Sequence, residues 1–466
     1  MLNRKIMRNF GFAFFSNAIS MVLSIVMVIV LPVLFGDAIA EYGYVQLYFL
    51  YVGYYYVFDL GWCSGIYLRE GGKEYTQLNS GSYSAQFILL AISQIIIAVC
   101  IIGYAVYFVN DINKQFIFVV VAFNIIIMQL KTMITSLFQA TNRIKEYSVT
   151  VVIGKLLNAL AVIIAIALGI KQYKIIVLSL FFGEFIALLY ACFECKEVIF
   201  SKPKLFFQVK KEIMEDISAG QNILFSGLSA MLMTGITRIC IENVWNIREF
   251  AKVSLSINIS NIFMVFITAV SVVLYPELRR MCSEKYIEIY SKMRNILMTL
   301  LLGLLISYYP LRLILQMILP QYNESLLYMA ILLPVCIYSS KMSMLIQTYM
   351  KVLRLEKKMM IANISGLLST CILVVVTVFW LKSITLAIFS ILACQIIRTV
   401  SGELLLAQYI AIKPHKDIMI ELILTILFII ANWQIGGWGG MLIYASGYSF
   451  YLFFVIGKYC NTQQKM

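Results

Sequence analysis

The chain is a succession of long apolar runs separated by short polar gaps, and this pattern excludes most folds. A helix needs about 20 apolar residues to cross the hydrocarbon core of a bilayer, and about fourteen runs meet that length. They lie near 11–36, 43–68, 82–109, 115–140, 147–169, 174–196, 218–242, 249–275, 289–309, 325–350, 358–380, 384–411, 417–433 and 437–457. The last two are short, so twelve to fourteen spans are expected. With 62% hydrophobic and 13% charged residues, the chain departs far from the roughly 45–50% and 25% of soluble domains. No single water-soluble core hides that much apolar surface. The expected fold is all-α: a polytopic membrane protein with two six-helix lobes around a central cavity.

The net charge of +14 does not indicate a nucleic-acid partner. A nucleic-acid binder clusters its cations on a water-exposed face. Here 25 of the 37 Lys and Arg fall at the termini and in every second gap. Examples are Arg4, Lys5 and Arg8, then Arg69 and Lys73, then Arg143 and Lys145, with later groups including Lys285, Lys292, Arg294, Lys413, Lys458 and Lys465. The alternate gaps are poor in cations. Excess Lys and Arg mark the cytoplasmic side, so both termini are expected in the cytoplasm. The first run is too long for a signal-peptide core and no A-x-A site follows it, so it reads as a span. The cysteines lie mostly within apolar runs, and Cys192 and Cys195 form one C-x-x-C with only His415 as histidine. Metal sites need convergent ligands, so no metal or cofactor is expected.

The longest basic connection is 198–216, with Lys202, Lys204, Lys210 and Lys211. It reads as a cytoplasmic amphipathic linker lying on the membrane surface. It divides the chain into an N-terminal lobe at 1–197 and a C-terminal lobe at 217–411, with two further helices and a tail at 412–466. Each lobe starts on the same side and has six spans, as parallel repeats do. The duplication is legible only as topology.

Charged groups inside a bilayer are costly and usually face a bundle interior or a wet cavity. Within the runs lie Asp59, Lys131, Lys155, Glu184, Arg238, Lys341, Arg398, Glu403 and Glu421. Tyr44, Tyr48, Tyr51, Tyr55 and Asp59 recur at helical spacing, which puts them on one face of a continuous second span. Such a stripe either lines a sugar-binding cavity or packs against neighbours. Polar stripes also run along span 4 (Asn124, Lys131, Thr135, Gln139), span 5 (Lys155, Asn158), span 8 (Ser254, Asn258, Asn261, Thr268) and span 10 (Ser340, Lys341, Ser343, Gln347). They imply two bundles facing one polar cleft, or interhelical hydrogen bonding. Lys131, Lys155 and Lys341 fall in the cytoplasmic half of their spans. Cations there suit a pyrophosphate headgroup, unless each pairs with a carboxylate such as Glu184. Arg238 lies nearer the outer end of span 7, with Glu242 one turn on as a second possible partner. The candidate substrate contacts are Lys131, Lys155, Lys341, Arg238, Tyr48, Tyr51, Tyr55, Asn258 and Asn261. Asp59 and Glu184 are the candidates for coupling transport to an ion.

Several short motifs carry a family resemblance. Leu31-Pro32, Phe35-Gly36 and Tyr42-Gly43 resemble the opening of polysaccharide flippases. Asp59-Leu60-Gly61 with Arg69 looks like their second-helix motif. The run Met350 to Lys358 is similar to their cytoplasmic turn between the tenth and eleventh helices. There are departures: Thr237-Arg238 stands where relatives often have Asp and a basic residue, and Ser383 to Ala387 replaces a glycine-containing run. The chain thus resembles the Wzx-type O-antigen and capsule repeat-unit flippases of the multidrug/oligosaccharidyl-lipid/polysaccharide exporter superfamily. The resemblance implies alternating access, ion coupling and an undecaprenyl-pyrophosphate-linked oligosaccharide as substrate. It also implies a polysaccharide polymerase and a chain-length regulator as partners. A lipid II flippase or a multidrug exporter of the same superfamily is the nearest alternative. A membrane polymerase or acyltransferase is the alternative of another class, but it needs catalytic groups in a large outer loop or an intramembrane His pair, and the outer gaps here are short.

Overall fold

The computed structural model describes residues 2–280, 286–410, 412 and 414–463. Lys285, Lys413 and Lys465 lie outside them, as do the side chains of Arg4, Lys5, Arg8, Thr268 and Lys458. The described chain is built from helices, in two compact units, Met1–Leu228 and Ser229–Met466. Eleven of its helical segments are long and apolar enough to cross a membrane, so this is a multi-pass membrane protein. The predicted runs at 249–275 and 437–457 lie within further long helices.

Unit 1 begins with α1 (Leu2–Phe35), α2 (Ile39–Val52) and α3 (Trp62–Glu70). It continues through α4 (Ser80–Phe108), α5 (Ile112–Ala140), α6 (Ile144–Ala167) and α7 (Tyr173–Glu194). The short α8 (Lys196–Ile199) precedes α9 (Phe206–Val244). Helix α5 is the most buried candidate span of this unit, and α2, α3, α4, α6 and α7 all pack on it.

The second span is not the continuous helix that its tyrosine spacing predicted. α2 stops at Val52, a 3-10 turn covers Tyr55–Val57, and α3 starts only at Trp62. The break is local chemistry. Leu60 and Gly61 both take positive φ, 55° and 88°, a region that L side chains other than Asn and Asp rarely adopt. The Asp59 carboxylate accepts from Gly61 N at 2.9 Å and Cys63 N at 3.0 Å, capping the first turn of α3.

The expected surface linker is helical from Phe206 and runs unbroken into the seventh span. The packing boundary between the units falls inside α9, at Leu228. The first turns of α9 lie on α3 and α4. Val209 and Ile213 join a core with Trp62, Ile66, Leu137, Phe138 and Val198. Arg69 donates to Asp216 Oδ1 at 2.7 Å, Glu215 Oε2 at 2.8 Å and the Glu212 carbonyl at 2.9 Å. Ser82 donates to the Glu212 carboxylate. The contact is backbone to backbone: a Cβ on Gly65 would lie 1.7 Å from Asp216 O, and one on Gly220 would lie 1.9 Å from Gly61 O. This is the close approach that small residues four apart permit between membrane helices.

Unit 2 contains the end of α9, then α10 (Ile247–Arg280), α11 (Tyr286–Leu304), α12 (Tyr308–Ile318) and α13 (Asn323–Ser340). A π-helical segment, Lys341–Ile346, joins α13 to α14 (Gln347–Val352). α15 (Glu356–Val374), α16 (Ile384–Ile410), α17 (His415–Ile430) and α18 (Gly437–Gln463) complete it. The segment Pro320–Val352 is the most buried candidate span among the described residues, with α10, α16 and α17 against it. α18 packs on α11, α12 and α17, so the last two helices are part of this unit's core.

Candidate functional site

In unit 1 the charged candidates converge from three helices. Lys131 of α5 pairs with Glu184 of α7. The other Glu184 oxygen accepts from Asn158 of α6 at 3.4 Å. Gly154, one turn before Asn158, makes room for this carboxylate: a Cβ there would sit 3.2 Å from it. Lys155 points elsewhere on α6, toward α1. It donates to Ser24 Oγ at 3.1 Å and the Ser20 carbonyl at 3.4 Å, and it makes no ion pair among the described residues. An ammonium held only by a hydroxyl and a carbonyl is half satisfied, since it has three donors and a full charge.

The tyrosine stripe is spread along α5. Tyr44 donates to Asp111 Oδ2 at 3.3 Å. Tyr48 is buried and accepts from Asn124 at 2.5 Å. Tyr51 packs against Phe118 in a tilted pair with centroids 4.7 Å apart. Tyr55, past the end of α2, accepts from Thr132 Oγ1 at 3.4 Å, and its carbonyl takes the Gln129 amide at 2.6 Å. These contacts follow α5 in order, from residue 111 to 132. Asp59 lies within the break between α2 and α3, with both oxygens on backbone N–H groups.

In unit 2 the candidates are dispersed. Lys341 is sealed. It donates to Glu403 at 2.5 Å and Glu421 at 2.8 Å. Arg294 completes the cluster, 3.2 Å from Glu403, 2.8 Å from Asp417 and also paired with Glu421. Tyr290 donates to Glu403 at 3.1 Å. Arg294, which the charge pattern groups with the cations of a gap, is buried on α11. The signal that could have found it is its placement six residues inside the apolar run that begins near 289. Arg238 donates to Ser254 at 2.9 Å and covers the Phe250 ring at 5.2 Å. Asn258 is half-buried and Asn261 exposed on α10. The structure therefore brings Lys131, Glu184 and Asn158 together in unit 1 and gives Lys341 a separate, enclosed partner set in unit 2.

No protein-family model and no curated protein sequence matches the chain. Its fold matches solved structures. One is the lipid II flippase MurJ in an inward closed conformation, with TM-score 0.65 and 13% identity, covering 97% of this chain and 100% of that one. Another is an inward-facing multidrug resistance MATE family transporter, with TM-score 0.67 and 13% identity, covering 86% of this chain and 98% of that one. A third is a transporter from Pyrococcus furiosus, at TM-score 0.51, 11% identity, and coverage of 86% and 95%. The chain shares its fold with these three proteins, two of which are described as transporters of the MOP superfamily. The neighbours are transporters and flippases rather than enzymes.

Proposed function

We propose that the chain is a flippase of the bacterial inner membrane, moving undecaprenyl-pyrophosphate-linked oligosaccharide repeat units from the cytoplasmic to the outer leaflet. Both termini are then cytoplasmic, a placement that the distribution of Lys and Arg supports. The observation that carries the reading is the pair of cations inside unit 1: Lys155 without a carboxylate and Lys131 with one. A cationic drug would be repelled there, whereas a pyrophosphate would be held by charge-assisted hydrogen bonds. At effective dielectric near 20 a close charge pair is worth about 4 kcal/mol, enough to load a headgroup and weak enough to release it. Glu184 fits ion coupling better than Asp59, because it is shared between Lys131 and Asn158 while Asp59 is held by backbone.

One observation favours a lipid-linked substrate over a drug. The MurJ match extends over nearly the whole chain, whereas the MATE match covers 86% of it. It also keeps lipid II as the second reading. The test is reconstitution into vesicles with fluorescent lipid-linked oligosaccharide, following its exposure to an external lectin. Protein-dependent exposure that falls several-fold in Lys155→Gln is expected. Movement of lipid II alone would transfer the assignment to the second reading, and movement of neither would overturn the proposal.

A further inference from the structure

Arg398, which none of the site assignments above uses, is a cation whose charge goes unanswered. It lies on α16 inside unit 2 and is 6% exposed. Its Nε donates to Asn363 Oδ1 of α15 at 2.9 Å. Its two terminal nitrogens have neither a hydrogen-bond nor an ion-pair partner among the described residues. The contrast within the unit is sharp: Lys341 and Arg294 share Glu403 and Glu421. A guanidinium in a bilayer is expected to find a carboxylate, a carbonyl or water, and a planar fork of free N–H donors matches an oxyanion.

Two further buried groups are equally unspent. Gln395 stands three residues before Arg398, hence on the same face of α16. It is 3% exposed and its Oε1 has no partner. The amide carries two donors at its other end. Thr237 of α9 is wholly buried with its hydroxyl unpartnered. It lies one turn from Met233, and Met233 and the Arg398 stem both close on Gly366: a Cβ there would meet them at 2.7 and 2.8 Å. Gly366 thus lets α9, α15 and α16 approach where Arg398 sits. Buried polar groups in native proteins are nearly always paired, so unsatisfied ones on adjoining helix faces around a lone cation mark a site for a ligand.

We propose that Arg398, Gln395 and Thr237 form an oxyanion-binding site in unit 2 that takes the phosphate or pyrophosphate group of a transported molecule. Arg398 supplies charge and two N–H donors, Gln395 an amide donor and Thr237 a hydroxyl. Asn363 orients the guanidinium through Nε. The proposal rests on the flippase reading for its choice of anion.

The test is binding by the purified protein in nanodiscs of zwitterionic lipid, with three probes: farnesyl pyrophosphate, inorganic pyrophosphate and farnesol. Farnesyl pyrophosphate is expected to bind and farnesol not. Arg398→Gln should weaken binding about tenfold or more, as loss of charge-assisted hydrogen bonds does, with Arg398→Lys intermediate. Asn363→Asp places a carboxylate beside the guanidinium and should weaken binding as much, while relieving a buried charge and so keeping the fold. Inorganic pyrophosphate binding as tightly as the prenyl form would identify a free-anion site; preference for the prenyl form would identify a lipid headgroup. Unchanged affinity in both Arg398→Gln and Asn363→Asp would overturn the site. If the vesicle assay shows no movement of lipid-linked oligosaccharide but Arg398-dependent binding persists, the flippase reading falls and the oxyanion site stands.

Discussion

The fourth spans of the two units, α5 and the helix running from α13 to α14, are each the most buried of their unit and each carry one lysine paired with a glutamate of the sixth span. In unit 1 the pair is Lys131 with Glu184 of α7; in unit 2 it is Lys341 with Glu403 of α16. The fates of the two pairs differ. Lys131 and Glu184 have side chains 15% and 17% exposed, whereas Lys341 and Glu403 are at 1% and 0%. What closes the second pair is α17, which contributes Glu421 and Asp417, together with Arg294 of α11. Among the described residues, unit 1 has no counterpart of α17. The same polar element is thus left accessible in one unit and built into the core of the other. Charges in unit 1 are therefore expected to govern transport, and those in unit 2's cluster to govern stability.

The largest effect should come from Lys341→Gln. It leaves Glu403 and Glu421 buried beside Arg294 alone. Removing one partner of a buried ionic cluster costs about 3–5 kcal/mol. Thermal unfolding in detergent should show a large drop, and Glu421→Gln should do the same with a smaller amplitude. A Lys341→Gln variant as stable as the parent would break the comparison.

Next in size is Gly220→Val. Its side chain would enter the Gly61 carbonyl, and overpacking of this kind costs about 1–3 kcal/mol. Backbone forced apart at this contact should also loosen the Arg69 bridges to α9. Protease nicking of the 198–206 connection is the readout, and unchanged resistance would show that α9 does not depend on the glycine contact.

Much of this architecture was legible in the sequence because bilayer thickness fixes span length, and span length is visible as apolar runs. The break at 53–61 was not. The spacing of Tyr44 to Asp59 fits a helix as well as the actual kinked path, and only the positive φ at Leu60 and Gly61 separates them. The repeat of Lys131–Glu184 by Lys341–Glu403 was hidden for another reason. Each is a single residue pair on helices distant in sequence, so no local motif records it. Asp59, Gly61 and Arg69 were read as a family motif; the structure gives each a physical task, as helix cap, close contact and anchor for α9.

Lys131→Gln should matter less to stability. The pair is less enclosed than that of Lys341, so its loss should cost less than the roughly 3–5 kcal/mol of a fully buried ionic cluster. Glu184 keeps the Asn158 amide. Export of lipid-linked sugar should nevertheless fall with protein level intact, and Lys131→Arg should restore more than Gln does. Stability loss as large as that of Lys341→Gln would erase the distinction between the units.

The smallest effect separates the two carboxylates of unit 1. Asp59 uses both oxygens on the N–H groups of Gly61 and Cys63, so its task is to start α3 after the break. Asn at that position keeps one acceptor and is itself a good cap, so Asp59→Asn should cost about 0.5 kcal/mol, the remainder being lost charge at a helix N-terminus. Glu184 instead bridges a cation and an amide on two different helices, and a proton or sodium ion competing with Lys131 for it would change how α5, α6 and α7 hold together. Transport by Asp59→Asn should therefore keep its parental dependence on pH and sodium, and Glu184→Gln should lose it. The measurement is initial rate in vesicles under imposed proton or sodium gradients. If Asp59→Asn removes the gradient dependence while its unfolding midpoint is unmoved, the cap also carries the coupling ion, and the functional charge of unit 1 lies at the break in the second span.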